Sequence, residues 1–355
     1  MSFRLSAALP LALIALVPVT PVLAAPPAPT AAPTELPQRV LLVVSSHGRG
    51  AGDIQPGFEM DELTQAWLVF RQNGMAVDIA SPTGGAVVAD EYDPKKAYNA
   101  DFNADPTARE KLANTLRLEP EMAGQYSAIM VIGGKGAMMD LPFSQVLQSL
   151  LAETERRGGV ISAVCHGPAV LARMRTASGT AWAEGRKLTG FADEEETLFG
   201  KKWVPHFPFL LESELRKLGA EFSEAPMMLP HVVTDGRVVT GQNPFSIGLA
   251  ADAVMRALGH SPAPREPWAD ERSLALVAEA ISGNTAPLET ALARKDGKID
   301  VPLVAIWGYY RSIEAGEDRA MLASAVRIME LAQPHFPEPQ LDDAIKAARA
   351  RLADG

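Results

Sequence analysis

Hydrophobic positions along this chain follow two alternating rhythms. "RVLLVVSS" from Arg39 to Ser46, "MAVDIASP", "YSAIMVIGGKG" and "GVISAVCHG" are short, unbroken apolar runs that end on Gly, Pro or small polar residues. Runs of that length without period-two alternation predict strands buried on both faces. Between them, "MDELTQAWLVFRQNG" places Leu63, Ala66, Trp67 and Phe70 at helical spacing, with acids in the first turn and Gly74 at the end; "SQVLQSLLAETERRGG" repeats the pattern. Strand and helix in alternation predict a mostly parallel sheet with helices on both faces. The stretch from Ser81 to Pro106, rich in Asp, Pro and Tyr, predicts a polar loop.

Further along, "RKLTGFADEEE" reads as a strand followed by a short acidic segment, and "HFPFLLESELRKLGAEF" as a helix leading into a strand. "HVVTDGRVVTG" predicts a hairpin turning at Asp235 and Gly236, and "PFSIGLAADAVMRALG" a closing helix. This α/β domain is expected over 38–260, with the three prolines of "HSPAPREP" at its boundary. Over 265–355, Leu274, Val277, Ala278 and Ile281, then Leu322, Val326 and Met329, recur at helical spacing with no strand between them. An all-helical C-terminal extension is expected there, with the aromatic cluster Trp307 to Tyr310 serving helix packing.

The N-terminus carries one early cation at Arg4, continues with an apolar stretch around Leu11 to Val17, and reaches small residues at Val22-Leu23-Ala24. That order predicts a secretory signal peptide over 1–24, followed by a Pro/Ala-rich linker over 25–37, and hence a periplasmic or secreted protein. Pro10, Pro18 and Pro21 interrupt the apolar run, so no membrane association is expected once the signal is cleaved. The remaining composition, 47% hydrophobic and 21% charged, is that of a packed globular protein. A formal charge of -10 with no basic run argues against nucleic acid as a partner. Small neutral or polar substrates fit better.

The chain has a single cysteine, so it cannot form an internal disulfide. Cys165 follows an apolar strand, with the small residue Ala163 two positions before it and Gly167 two after. This is the spacing of a nucleophile elbow. The corner places the thiol at the carboxyl end of a central strand, where open parallel sheets bind ligands, and at the start of a helix. A helix N-terminus is expected to favour the thiolate. Backbone N–H groups at Gly133, Gly134 and His166 are candidates to cradle a developing alkoxide.

"AVCHGPAVL" resembles the nucleophile motif of the ThiJ/PfpI superfamily. "GFEMDELTQAWLVFRQNGMAVDIASPTGG", "VIGGKGAMMDLP", "KLTGFADEEE" and "VVTGQNPFS" resemble further segments of that family in the same order. The similarity runs from about Val40 to Leu258 and points to the branch with glutathione-independent glyoxalase (glyoxalase III) activity. It implies a flavodoxin-like, doubly wound α/β fold. It further implies Cys165 as nucleophile, His166 as its neighbouring base and Glu62 as a carboxyl beside the thiol, with Glu59 and Asp61 as lesser candidates. Glu196 is the implied acid of a Cys-His-acid triad; Asp193, Glu194 and Glu195 stand close enough to compete. Lys135 departs from the histidine often found in this glycine turn. His206 and His231 are expected to be packing or surface residues, with His231 nearer the pocket. The resemblance implies a small aldehyde or 2-oxoaldehyde substrate, no cofactor and no metal, and a homodimer is expected. A holdase chaperone or redox-responsive protein is the alternative.

Overall fold

The computed structural model describes residues 37–48 and 56–353. Among them, β1 Arg39–Val43, β2 Ala76–Ser81, β3 Leu116–Arg117, β4 Ala128–Val131, β5 Val160–Val164, β8 Val232–Asp235 and β9 Val238–Gly241 form one sheet in the order β3-β2-β1-β4-β5-β9-β8. Its neighbours run parallel except the β8–β9 hairpin, whose turn places Gly236 at φ +60°. The other two strands, β6 Lys187–Leu188 and β7 Glu221–Phe222, pair with each other as a separate parallel ribbon. Val40 lies opposite Val77 on one side and Ala128 on the other, and Ile161 lies opposite Ile129 and Val238. Every residue of β4 and β5 is buried, as unbroken apolar runs require in a sheet covered on both faces.

Helix α1 Met60–Gln72 buries Leu63, Ala66, Trp67 and Phe70, the four positions on its apolar face. The stretch expected to be a loop up to Pro106 instead holds α2 Ala97–Ala104, and α3 Pro106–Ala113 follows directly. The sequence of α2, "AYNADFNA", has little intrinsic helix preference. Tertiary contacts supply the stability: Phe102 packs edge-on against Trp67 at 5.7 Å, and buried Asn99 hydrogen-bonds Thr64 and Asp61. Helix α3 opens with Asp105, which accepts from the Thr107 N–H at 2.8 Å, and has Pro106 in its first turn.

The domain continues through the one-turn α4 Ala137–Asp140 and through α5 Gln145–Arg156, capped by Ser144. Then come α6 Asp193–Phe199, α7 Leu211–Lys217 and the closing α8 Ile247–Ala257. The remaining chain is helical, with α9 Ala269–Ile281, α10 Ala286–Arg294, α11 Val301–Glu314, α12 Arg319–Ala332 and α13 Pro339–Ala353. These five helices bury a core of their own around Leu274, Val304, Trp307 and Met329. The Tyr98 hydroxyl ties the two parts together by donating to Asp270 at 2.7 Å. No helix among the described residues is long and apolar enough to cross a membrane.

Candidate active site

The sheet changes winding direction between β1 and β4, and the carboxyl ends of β4 and β5 lie beside that switch. Cys165 follows the last residue of β5 and is held at φ 58°, in the left-handed region, by backbone bonds on both sides. Its N–H donates to Gly241 O at 2.9 Å, and its carbonyl accepts from the Phe191 N–H at 2.8 Å. A non-glycine residue fixed in this region stores of order 1–3 kcal/mol of strain, a cost that concentrates at functional corners. Gly133 permits the close approach of the neighbouring turn, because a Cβ there would stand 2.7 Å from Cys165 Cβ.

The thiol has the neighbours that the sequence suggested. Cys165 Sγ lies 3.4 Å from His166 Nδ1, and His166 Nε2 lies 2.8 Å from Glu196 Oε2. All three side chains are buried, and the imidazole is held between Phe191 and Phe207, with centroids at 4.5 and 5.6 Å. A carboxylate can only accept a hydrogen bond, so Glu196 keeps the imidazole hydrogen on Nε2 and leaves the Nδ1 lone pair toward sulfur. Gly200 makes room for this: a Cβ there would meet Glu196 Oε1 at 2.1 Å.

The rotation of α6 separates the four competing acids. Asp193 accepts from the Ser213 hydroxyl, and Glu194 faces Arg311 at 3.5 Å. Glu195 is buried and accepts four hydrogen bonds: from Asn243 Nδ2 and Met228 N at 2.8 Å, Gln242 Nε2 at 3.1 Å and Ala192 N at 3.3 Å. Burial pushes its carboxyl up to about 7 against the pull of those donors. It anchors the start of α6, and only Glu196 reaches the imidazole.

Glu62 is fully buried on α1. Its Oε2 accepts from Gly133 N–H at 2.7 Å, and its Oε1 is buried without a hydrogen-bond partner. Burial, with Glu59 as a second negative neighbour, raises Glu62 well above the carboxylate range. Glu59 itself is pushed to about 7 by burial and by Asp61 and Asp90. Asp61 is engaged elsewhere, accepting from Lys96 at 2.6 Å and Asn99 at 2.7 Å, with the Tyr98 hydroxyl 3.0 Å away.

Two expectations about the elbow need correction. The segment after Cys165 is a seven-residue 3-10 turn, Gly167–Arg173, and the thiol is raised well above its ordinary value by burial first and by Glu62 second. A short turn offers little dipole, and desolvation dominates. The Gly134 N–H is the backbone donor that favours the thiolate, whereas the Gly133 N–H is occupied by Glu62 and is not available to an alkoxide.

Cys165, His166, Glu59 and Glu195 line a cavity of ≈ 220 Å³ together with Lys135, Phe199, Met228 and Phe245, whereas Glu62 and Glu196 do not line it. Neither His231, bonded to Ser223 at 2.9 Å, nor exposed His206 lines it. Met228, Asn243 and Gly200 escaped assignment from sequence, and Glu195 was weighed there only as a triad acid. Asn243 lies in the "VVTGQNPFS" segment and was within reach, but "APMMLP" around Met228 offers no signal. No group of three or more His, Cys, Asp or Glu among the described residues is placed to hold a metal ion.

Residues 54–257 match the DJ-1/PfpI family. Glutathione-independent glyoxalase HSP31 of Saccharomyces cerevisiae is 31% identical over 223 residues, which cover 59% of this chain and 93% of that protein. Glyoxalase 3 of Candida albicans is 30% identical over 236 residues, covering 62% and 98%. The crystal structure of glyoxalase III from Candida albicans superposes with a TM-score of 0.55 at 28% identity, covering 62% of this chain and 96% of that one. These relatives are fungal glyoxalases, which contradicts the expected signal peptide and periplasm. The alignments cover 59% and 62% of this chain, and residues 1–36, on which those readings fall, lie outside the described residues. Neither reading is retained. The chain belongs to the DJ-1/PfpI family.

Proposed function

We propose that this protein is a glutathione-independent glyoxalase that converts a small 2-oxoaldehyde such as methylglyoxal, with water, to the 2-hydroxy acid. The observation that carries the reading is the buried Cys165–His166–Glu196 relay beside the raised carboxyl of Glu62. The printed names of the relatives at about 30% identity support the same activity.

Cys165 sulfur adds to the aldehyde carbon as its proton passes to His166 Nδ1, and the new oxygen takes a proton to give a hemithioacetal. The Gly134 N–H faces the sulfur and is the donor nearest the developing charge. A base removes the hydrogen on that carbon and returns it at the neighbouring ketone carbon, while the hemithioacetal hydroxyl proton passes to the ketone oxygen through the enediol. The first carbon is thereby oxidised to a thioester and the second reduced to an alcohol, with no external oxidant. Glu62 suits this shuttle because burial raises its carboxyl and so makes it a stronger base than an exposed carboxylate. Water then cleaves the thioester, releasing the hydroxy acid and restoring the thiol. Lys135, on the cavity wall beside Glu59, is a cation suited to the carboxylate product.

A redox-responsive role is less well supported, because sensor cysteines are accessible and low in pKa, whereas Cys165 is 3% exposed and its thiol is raised. The expected homodimer stays part of the proposal, tested by the mass of the protein in solution. The deciding experiment measures lactate formed from methylglyoxal without glutathione, by the purified chain and by Cys165→Ser. Turnover by the first alone is expected; equal turnover by both, or none by either, rejects the reading.

A further inference from the structure

The three apolar residues on the outer wall of the cavity, Phe199, Met228 and Phe245, also pack into the core of the helical extension. Helix α11 makes the direct contacts. Trp307 is completely buried, and its indole N–H donates to Met227 O at 3.1 Å. The adjoining Met228 is held at φ 62°, an unfavourable conformation for a side chain of its size, with its N–H bonded to Glu195 Oε1 at 2.8 Å. The next turn residue, Tyr310, packs edge-on against Phe199 at 4.9 Å, and Arg311 faces Glu194 at 3.5 Å. Phe199 and Met228 therefore stand between the cavity and α11. The extension at 269–353 lies outside the family match at 54–257.

We propose that the helical extension sets the size limit on what reaches Cys165, with Trp307 and Tyr310 of α11 holding Met228 and Phe199 in place as the outer wall. Without the indole donor, nothing in α11 secures the Met227 carbonyl, and the strained Met228 backbone is free to relax away from the cavity. Short, unbranched carbonyl compounds fit the half-open cavity of ≈ 220 Å³, and the wall limits how closely a bulkier, ring-bearing one approaches Cys165.

The proposal does not depend on turnover and is tested on the thiol itself. Cys165 is the only cysteine of the chain, so alkylation of the whole protein reports on this one site. Rates are measured with iodoacetamide, which is small, and with N-phenylmaleimide, which carries a flat ring. A change in sulfur nucleophilicity moves both rates together, whereas a change in the wall moves their ratio. Trp307→Phe keeps the ring packing and removes the N–H; the ratio of bulky to small reagent is expected to rise roughly five- to tenfold, the equilibrium worth of one neutral hydrogen bond. Met228→Gly, which removes the wall side chain and suits the positive φ, is expected to raise it further. Ile313→Ala, on the exposed side of α11, is expected to leave it unchanged. If Trp307→Phe does not fold, as judged by thermal melting, Tyr310→Leu carries the same expectation. A ratio that rises in Met228→Gly but stays fixed in both α11 variants overturns control by the extension, and a ratio unmoved by Met228→Gly overturns the wall itself.

Discussion

Glu196 Oε2 lies 2.8 Å from His166 Nε2 while its immediate neighbour Glu195 points into a separate nest of four donors. Two adjacent glutamates on one helical turn thus serve different ends. Glu196→Gln allows an amide N–H to face Nε2 and moves the imidazole hydrogen to Nδ1, where it opposes deprotonation of the thiol. We expect kcat to fall ~10²–10⁴-fold with KM little changed. A matching loss in Asp193→Asn, measured in the same assay, would show that the acid was assigned wrongly.

The negative charge of Glu62 opposes ionisation of the thiol. Burial is the larger cause of the raised thiol and the Glu62 charge the second, so removing that charge lowers the thiol pKa. In Glu62→Gln the midpoint of the pH dependence of Cys165 alkylation is expected to move to lower pH. The glyoxalase rate nevertheless falls ~10²-fold or more because the proton shuttle is lost. Opposite signs in the two measurements are the signature, and a midpoint that stays or rises counts against the coupling.

Gly200 leaves space for the triad carboxylate. Gly200→Ala places a methyl where Glu196 Oε1 sits, 2.1 Å from it. A displacement near 1 Å at the relay is expected to cost about 10²-fold in kcat. Thermal melting separates this from unfolding: an active-site effect leaves most molecules folded at assay temperature.

Away from the site, Asp78 is held below its ordinary value of 3.8 even though burial works against it, because Lys111 and Arg39 both donate to it. The folded chain releases this proton more readily than the unfolded chain, so the stabilisation is fully present above that ordinary value and is lost as pH falls through the lower folded value. Asp78→Asn is expected to cost about 1 kcal/mol near neutral pH, a figure kept small because both cations are partly exposed. Denaturant melts of the two proteins should converge as the solution is acidified, and a constant gap excludes an ionic origin.

Much of this molecule was readable from its residues. The unbroken apolar runs at Arg39, Ala128 and Val160 forced a sheet buried on both faces, since no other element hides four or five consecutive apolar side chains so economically. The face of Leu63, Ala66, Trp67 and Phe70 gave α1 its orientation, and small residues around Cys165 gave the elbow. Family motifs then brought Glu62 and Glu196 to the thiol from chain positions far from Cys165. The tertiary structure alone decided the rest. Helix α2 exists because Phe102 and Asn99 find partners on α1, a stabilisation absent from local sequence. The thiol is raised rather than lowered because burial beside Glu62 outweighs the dipole of a short turn. The choice of Glu196 over Glu195 depends on helix rotation and on donors from residues 228, 242 and 243. The union of α11 with the cavity wall brings Trp307 to Met227 across 80 residues of chain, and no local pattern encodes a contact at that separation.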